Sequence, residues 1–395
     1  MNAAVRVAIA LAAIAAAPAI AGEVVLYGIA DVTVEAVKST GQTSGPQIDQ
    51  RGRISSNSSY LGVKGYTALG NSNKAFFQLE YGTNIDAQGD GASGANPFSG
   101  YRDTFLGLSG SWGEVKAGNL TLPIRSISGK TNYNPGSTSI SETINLMVSI
   151  NGTNAGFHSR KQNAIQYALS PGGGVTAIVG YSPSEEKVTG GTGAKNPSTR
   201  AFGLYWEQPF LAIYYAFEQR KDSNNVESPT VANPTDGKDN RLIFRFDFGQ
   251  GTKALAGYDT QKIEGIYGTG ATAGTGSVKR DAWTVAVSHT IGQHEFIGEY
   301  AKANHMKCDG AASLVAGSSC APANVNNTGA KQVGIVYHYF WTKEAMVQAY
   351  LTRISNDAWG SYDFDVNPTR NSALQTGIQR GASPTGIGVG VRYTF

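Results

Sequence analysis

The feature that most constrains this chain is a period-two alternation of side chains, recurring along most of its length and broken by connections that are tight and long in turn. At the C-terminus Ile387, Val389, Val391, Tyr393 and Phe395 alternate with Gly388, Gly390, Arg392 and Thr394. Leu242, Phe244, Phe246 and Phe248 alternate with Arg241, Ile243, Arg245 and Asp247, and the stretches 211–218 and 332–341 behave alike. Successive strand residues point to opposite faces, so each run carries one apolar, aromatic face and one polar or small face. Sixteen runs are expected, at 23–37, 52–67, 74–84, 101–111, 114–121, 159–169, 175–183, 198–207, 210–220, 239–248, 252–263, 279–291, 294–303, 330–341, 344–354 and 386–395.

The connections decide which solvent the apolar faces meet. Seven are tight, at 69–73, 111–113, 171–174, 208–209, 249–251, 292–293 and 342–343. Eight are long, near 38–51, 85–100, 122–158, 184–197, 221–238, 264–278, 304–329 and 355–385, and the two kinds alternate strictly. A soluble sandwich buries its apolar faces and has no reason for such asymmetry. An outer-membrane barrel turns them to lipid, with short periplasmic turns and long extracellular loops. Only closure satisfies every backbone polar group in hydrocarbon. Trp206, Phe210, Trp283, Tyr339, Trp341, Tyr393 and Phe395 lie near run ends, where interfacial aromatic girdles belong. The fold expected is all-β: a 16-stranded antiparallel transmembrane β-barrel with both termini periplasmic.

Composition closes the other routes. The chain has 395 residues, 50 of them Gly, with 15% charged, 15 Phe, 19 Tyr and 5 Trp. That aromatic content argues against disorder, and 14 Pro without a three-residue glycine period against collagen. No apolar run is long enough for a membrane-spanning helix. A net charge of +3 gives no footprint for nucleic acid. Residues 1–21 have the layout of a secretory signal peptide: Arg6, an apolar stretch, Pro18, then Ala19-Ile20-Ala21. A single barrel domain is then expected over 22–395. Cys308 and Cys320 are the only cysteines, and in an exported chain they are expected to form a loop-closing disulfide.

Catalytic and cofactor motifs are missing. The five histidines form no H-E-x-x-H, no G-x-S-x-G turn occurs, and the glycine-rich stretches lack phosphate-loop order. No metal, cofactor or enzymatic site is expected.

With that much established, the sequence resembles a Gram-negative trimeric general porin of the 16-stranded type. The resemblance rests on Leu26-Tyr27-Gly28 with Asp31, on Tyr60-Leu61-Gly62-Val63-Lys64-Gly65, and on Phe77-Gln78-Leu79-Glu80. Arg102 followed by Phe105-Leu106-Gly107-Leu108, Arg160-Lys161-Gln162-Asn163, Tyr167-Ala168-Leu169-Ser170-Pro171 and the closing Val391-Arg392-Tyr393-Thr394-Phe395 continue it. The resemblance implies a homotrimer in the outer membrane, in contact with its lipid and lipopolysaccharide. Each subunit would hold a water-filled pore for ions and small hydrophilic solutes, narrowed by a third loop folded inward, here 122–158.

Parity assigns the lumen. Tyr60 and Lys64 face in opposite Leu61 and Val63; Arg160, Gln162 and Gln166 face in on the sixth strand, Arg241, Arg245 and Asp247 on the tenth, and Arg392 on the last. Asp31, Glu35, Glu80 and Glu218 also face in. Arg102 is placed inside by the resemblance alone, because Phe105, Leu106 and Leu108 do not share a parity. Porins of this type set a basic wall against an acidic third loop. Here Tyr60 stands at one of the three usual wall arginines, and from 121 to 160 the charges are Arg125, Lys130, Arg160 and Glu142, a net of +2. Clusters of one sign select the opposite ion, so the constriction of Tyr60, Lys64, Arg102, Arg125, Lys130, Glu142 and Arg160 is expected to give a weak to moderate anion preference. The alternative is a solute-specific channel, which Tyr60, Tyr133 and Phe157 keep open.

Overall fold

The computed structural model describes residues 22–86, 98–133, 139–183, 197–223, 231–267, 274–314, 317–369 and 377–395. The signal-peptide expectation lies outside the described residues. Sixteen barrel strands run in chain order. They are β1 Val24–Thr40, β2 in two segments Ile48–Ser56 and Tyr60–Gly70, β3 Asn73–Thr83, β4 in two segments Phe98–Tyr101 and Thr104–Gly110, and β5 Gly113–Leu120. Next come β6 Lys161–Gly172, β7 Val175–Pro183, β8 Ser198–Glu207, β9 Leu211–Ser223, β10 Val231–Asp247, β11 Thr252–Tyr267 and β12 Gly274–Ile291. The last four are β13 in two segments His294–Ala303 and Lys307–Gly310, β14 Ala330–Phe340, β15 Ala345–Asn356 and β16 Ser383–Thr394. Each pairs antiparallel with its sequence neighbour, and β16 closes on β1 from Ile29↔Thr394 to Thr40↔Ser383. The seven tight connections all occur. At the first, Asn71 and Ser72 have φ of 50° and 63°, the left-handed pair that suits the twist of a two-residue hairpin.

Burial is inverted relative to a soluble protein. Leu106 is 65% exposed, Ile335 62% and Ile387 57%, whereas Asp31, Glu35 and Arg241 beside them in the pattern are buried. Exposed apolar residues on strand after strand suit hydrocarbon, and closure leaves no edge to expose there. The tightly packed interior is the contact between the barrel wall and the inward loop, where Ile124, Ile144, Leu146, Met147, Val148 and Phe157 are at most 1% exposed.

One parity assignment is corrected. Gln162 is exposed and the buried side chain is Lys161, because the ladder slips between Lys161 and Ala164, where Asn163 adopts φ 51°. A bulge of one extra residue exchanges the faces on either side of it.

Candidate functional site

The segment from β5 to β6 folds back into the barrel. It holds helix α1 (Pro123–Ser126), helix α2 (Ile144–Val148) and a short ladder of Ser149–Ile150 with Thr153–Asn154. Wall and loop are shaped to each other. Inward residues of the wall under it are small, among them Ala216, Ala282 and Ala301, all fully buried. At Gly386 a Cβ would come 2.3 Å from Ile140 Cδ1, so only glycine lets the loop lie this close.

A buried ionic network holds the loop from beneath. The Arg241 and Arg280 guanidinium groups, both 0% exposed, share Asp259 at 2.8 and 2.9 Å. Arg280 donates to the Met147 and Ser149 carbonyls at 3.1 and 2.7 Å, and Gln261 to that of Val148 at 3.1 Å. Arg241 donates to Ser128 Oγ at 2.6 Å and to the Ile124 carbonyl at 3.2 Å. The last carbonyls of a helix have no partner inside it, and these wall residues supply one. Farther round, Gln332 Nε2 donates to the Glu142 carbonyl at 3.0 Å. Arg241 faces inward as parity requires, but it braces the loop and does not border open lumen.

Opposite this anchor, the wall residues singled out above come together. Arg102, at the break in β4, pairs with Glu80 of β3 and lies 4.4 Å from the centre of the Tyr60 ring. Tyr27 donates to the other Glu80 oxygen at 3.1 Å, and Lys64 Nζ sits 4.7 Å over the Tyr27 ring. Arg160 pairs with Asp103 at 3.5 Å. Arg125, from α1, donates to the His158 carbonyl. Burial, together with the neighbouring positive charges of Arg160 and Arg102, lowers its pKa to about 10, still charged at neutral pH. Three guanidinium groups thus converge on two carboxylates, Glu80 and Asp103.

Two residues of the expected set sit elsewhere. Lys130 lies over the Tyr214 ring of β9, 5.1 Å from its centre. Glu142 is 1% exposed and therefore does not line open lumen as expected. Burial, then the nearby Asp365 and Glu299 charges, hold its carboxyl well above the ordinary range, with Arg125 and Asn132 offsetting part of this. The physical reason is its place just before α2, in a segment flattened against the wall.

Sequence reasoning missed the loop between β15 and β16. Tyr362 and Phe364 are buried, and this loop docks on the inward one. Tyr362 Oη accepts from the Asn151 amide at 2.9 Å, Ser361 Oγ donates to the Asn151 carbonyl at 2.8 Å, and Arg53 donates to the Pro368 carbonyl at 2.9 Å. It brings Asp363 and Asp365 inward, and Asp365 acts electrostatically on Arg125. Burial raises the Asp363 pKa to about 7, despite hydrogen bonds from the Phe364 and Thr369 amides. Much of the acidic complement absent from the third loop is therefore supplied by the last one. The signal was present in Tyr362-Asp363-Phe364-Asp365, two aromatics in a segment that water alone would not select. Cys308 and Cys320 are disulfide-bonded, and the loop they close reaches the same hairpin, where Asn151 Nδ2 donates to Ser319 Oγ at 3.1 Å.

Comparison with known proteins agrees with this geometry. A family model described as "Gram-negative porin" matches residues 4–358. The major outer membrane protein P.IB of Neisseria gonorrhoeae is 27% identical over 214 residues, 54% of this chain and 56% of that protein. The chitoporin of Vibrio furnissii is 26% identical over 246 residues, 62% of this chain and 60% of that protein. The matches thus span little more than half the length of these relatives. Among solved structures, the anion-selective porin from Comamonas acidovorans superposes with a TM-score of 0.72 at 21% identity, covering 95% of this chain and all of that one. The OmpF of Salmonella typhi gives 0.60 at 16% identity, over 95% and 100% of the two chains. The chain belongs to the Gram-negative porin family, a multi-pass β-barrel of the outer membrane.

Proposed function

We propose that this protein is a passive outer-membrane channel, without an enzymatic step, through which ions and small hydrophilic solutes diffuse with a weak to moderate preference for anions. The observation that carries the reading is the convergence of Arg102, Arg125 and Arg160 beside only Glu80 and Asp103, on the side of the barrel away from the loop anchor. An excess of positive charge at a narrow point lowers the barrier for anions and raises it for cations. The anion-selective Comamonas porin has the same fold, which supports the assignment by analogy. Trimers, seen for an OmpT structure of Vibrio cholerae with this fold, are the assembly we propose here.

A second reading, a channel for one class of solute, draws on a specific feature. Tyr27 and Tyr60 stand 6.1 Å apart edge to face at the waist, with Lys64 and Arg102 over their rings. Such a platform stacks on sugar or aromatic faces, and one relative is called a chitoporin. Liposome swelling separates the two readings. A general sieve gives rates that fall smoothly with solute size and rise linearly with concentration. Saturation by one solute, lost in Tyr60→Ala, assigns the specific channel instead.

A further inference from the structure

The outer wall carries a basic row that the channel does not use. Lys238 of β10 is directly opposite Lys262 of β11, Lys262 is opposite Lys279 of β12, and Lys279 is opposite Lys307 in the upper segment of β13. Across β9 the same rung continues through Gln219 to Arg200 of β8. All face outward, because Asp239, Arg241, Asp259, Gln261 and Arg280, next to them in sequence or offset by an odd number of residues, are fully buried within the barrel. Strands lie about 4.8 Å apart, so the four lysines span roughly 14 Å.

Like charges directly opposite one another destabilise a sheet. Local carboxylates answer only part of the charge. Lys262 pairs with Glu264 at 2.6 Å, and Lys279 and Lys307 share Asp281 at 3.3 and 3.8 Å. Lys238 has no ion-pair partner among the described residues. The lysines border an open concavity of about 400 Å³, with Asn240, Thr260 and Asp309 also on its rim.

The height of the row on the barrel identifies what covers it. Below it lie Tyr258 and Trp283, a directly opposed pair four residues down each strand, and then the exposed Val285 and Val287. Aromatic pairs of this kind mark the edge of the hydrocarbon. Four residues of tilted strand rise roughly 10 Å, which sets the lysines at headgroup level on the side of the long loops. We propose that this row binds the phosphorylated sugar headgroup of an outer-leaflet glycolipid, lipopolysaccharide in a Gram-negative outer membrane, with the lysines on its phosphates and Asn240 and Thr260 on its hydroxyls. The assignment rests on the outer-membrane reading above. A free phosphate would meet the same charges, but it has no reason to favour a row that follows the membrane edge.

The test uses the full-length protein purified in mild detergent. Native mass spectrometry measures retention of diphosphorylated lipid A, dephosphorylated lipid A and inorganic phosphate by wild type and by a Lys238→Gln, Lys262→Gln, Lys279→Gln, Lys307→Gln variant. The expected result is at least tenfold weaker retention of diphosphorylated lipid A by the variant, little retention of the dephosphorylated lipid by either protein, and no retention of inorganic phosphate. Equal retention of diphosphorylated lipid A by both proteins overturns the proposal, as does retention that ignores the phosphates. Saturable binding of inorganic phosphate at the row would reassign it as a small-anion site. Should the quadruple variant not fold, the Lys238→Gln, Lys262→Gln pair gives the same comparison with a smaller expected loss of at least threefold. Bilayer conductance of wild type and variant is recorded separately, so that failure of the channel reading shows there and not in lipid retention.

Discussion

Arg160 is the residue whose removal tests the electrostatics of the waist most cleanly. It sits at the end of the inward loop, pairs with Asp103 at 3.5 Å, and donates nothing to the network that braces the loop. Arg160→Ala removes one positive charge and leaves Asp103 uncompensated, so the local charge falls by one. A monovalent ion passing about 6 Å away in a water-like dielectric feels about 0.7 kcal/mol from one charge. Screening at 0.15 M, with a Debye length near 8 Å, roughly halves this, to about 0.3 kcal/mol. An anion loses that much stabilisation and a cation gains it, so the chloride-to-potassium permeability ratio is expected to fall about threefold. At 1 M the Debye length is about 3 Å and the fall shrinks to about 1.4-fold. Reversal potentials across a planar bilayer with a KCl gradient, taken at both ionic strengths, read this directly. A ratio unchanged by the substitution, or changed equally at both salt concentrations, would refute the argument that an unscreened waist charge sets selectivity.

Further consequences concern the loop and its acids. Arg280→Ala removes two of the bonds to the end of α2 and leaves Asp259 with Arg241 as its remaining cationic partner; it is expected to cost about 3 kcal/mol and to make single-channel current noisier, which thermal unfolding and bilayer recording check. Protonation of Asp363, whose carboxyl burial lifts to about 7, removes negative charge from the lumen, so anion preference should rise as pH falls from 8 to 6, as reversal potentials will show, and Asp363→Asn should flatten the change. The same raised pKa means that docking of the last loop is favoured at acid pH and weakens as pH rises through about 7, which protease accessibility of that loop reads out. Replacing Cys308 and Cys320 together by Ser opens a 12-residue separation; about 3 kcal/mol of constraint on the unfolded loop is lost, and hydrogen exchange at the 149–154 hairpin that it touches should accelerate.

The barrel was legible because lipid imposes a rule on each strand separately. Runs such as 198–207 and 294–303 can be read alone, from alternation and from the turn that ends them, and their bounds agree with the observed β8 and β13. Arg102 and Arg160 were legible through the resemblance to known porins, and Tyr60 and Lys64 through parity. The failures share a different cause. Gln162 was misplaced because one left-handed residue, Asn163, shifts parity without leaving a period of its own. Glu142 was taken for a lining residue because net charge along a loop does not say which side of the loop meets the wall. Asp363 and Asp365 were missed because loop-to-loop docking is a tertiary contact between segments more than 200 residues apart in the chain, as with Asn151 and Tyr362. The apolar cluster Ile144 to Val148, set against inward alanines such as Ala282 and Ala301, did encode the underside of the loop, but only once the barrel brings those strands beneath it.

The single measurement closest to the heart of the account is the conductance of the purified protein in a planar lipid bilayer as the salt concentration is raised. A hydrated passage predicts discrete current steps whose size grows in proportion to bulk conductivity up to about 1 M, where screening has removed most of the surface-charge contribution. A correctly folded barrel that inserts into the bilayer and yields no steps, or steps that stay constant as the salt rises, would contradict it.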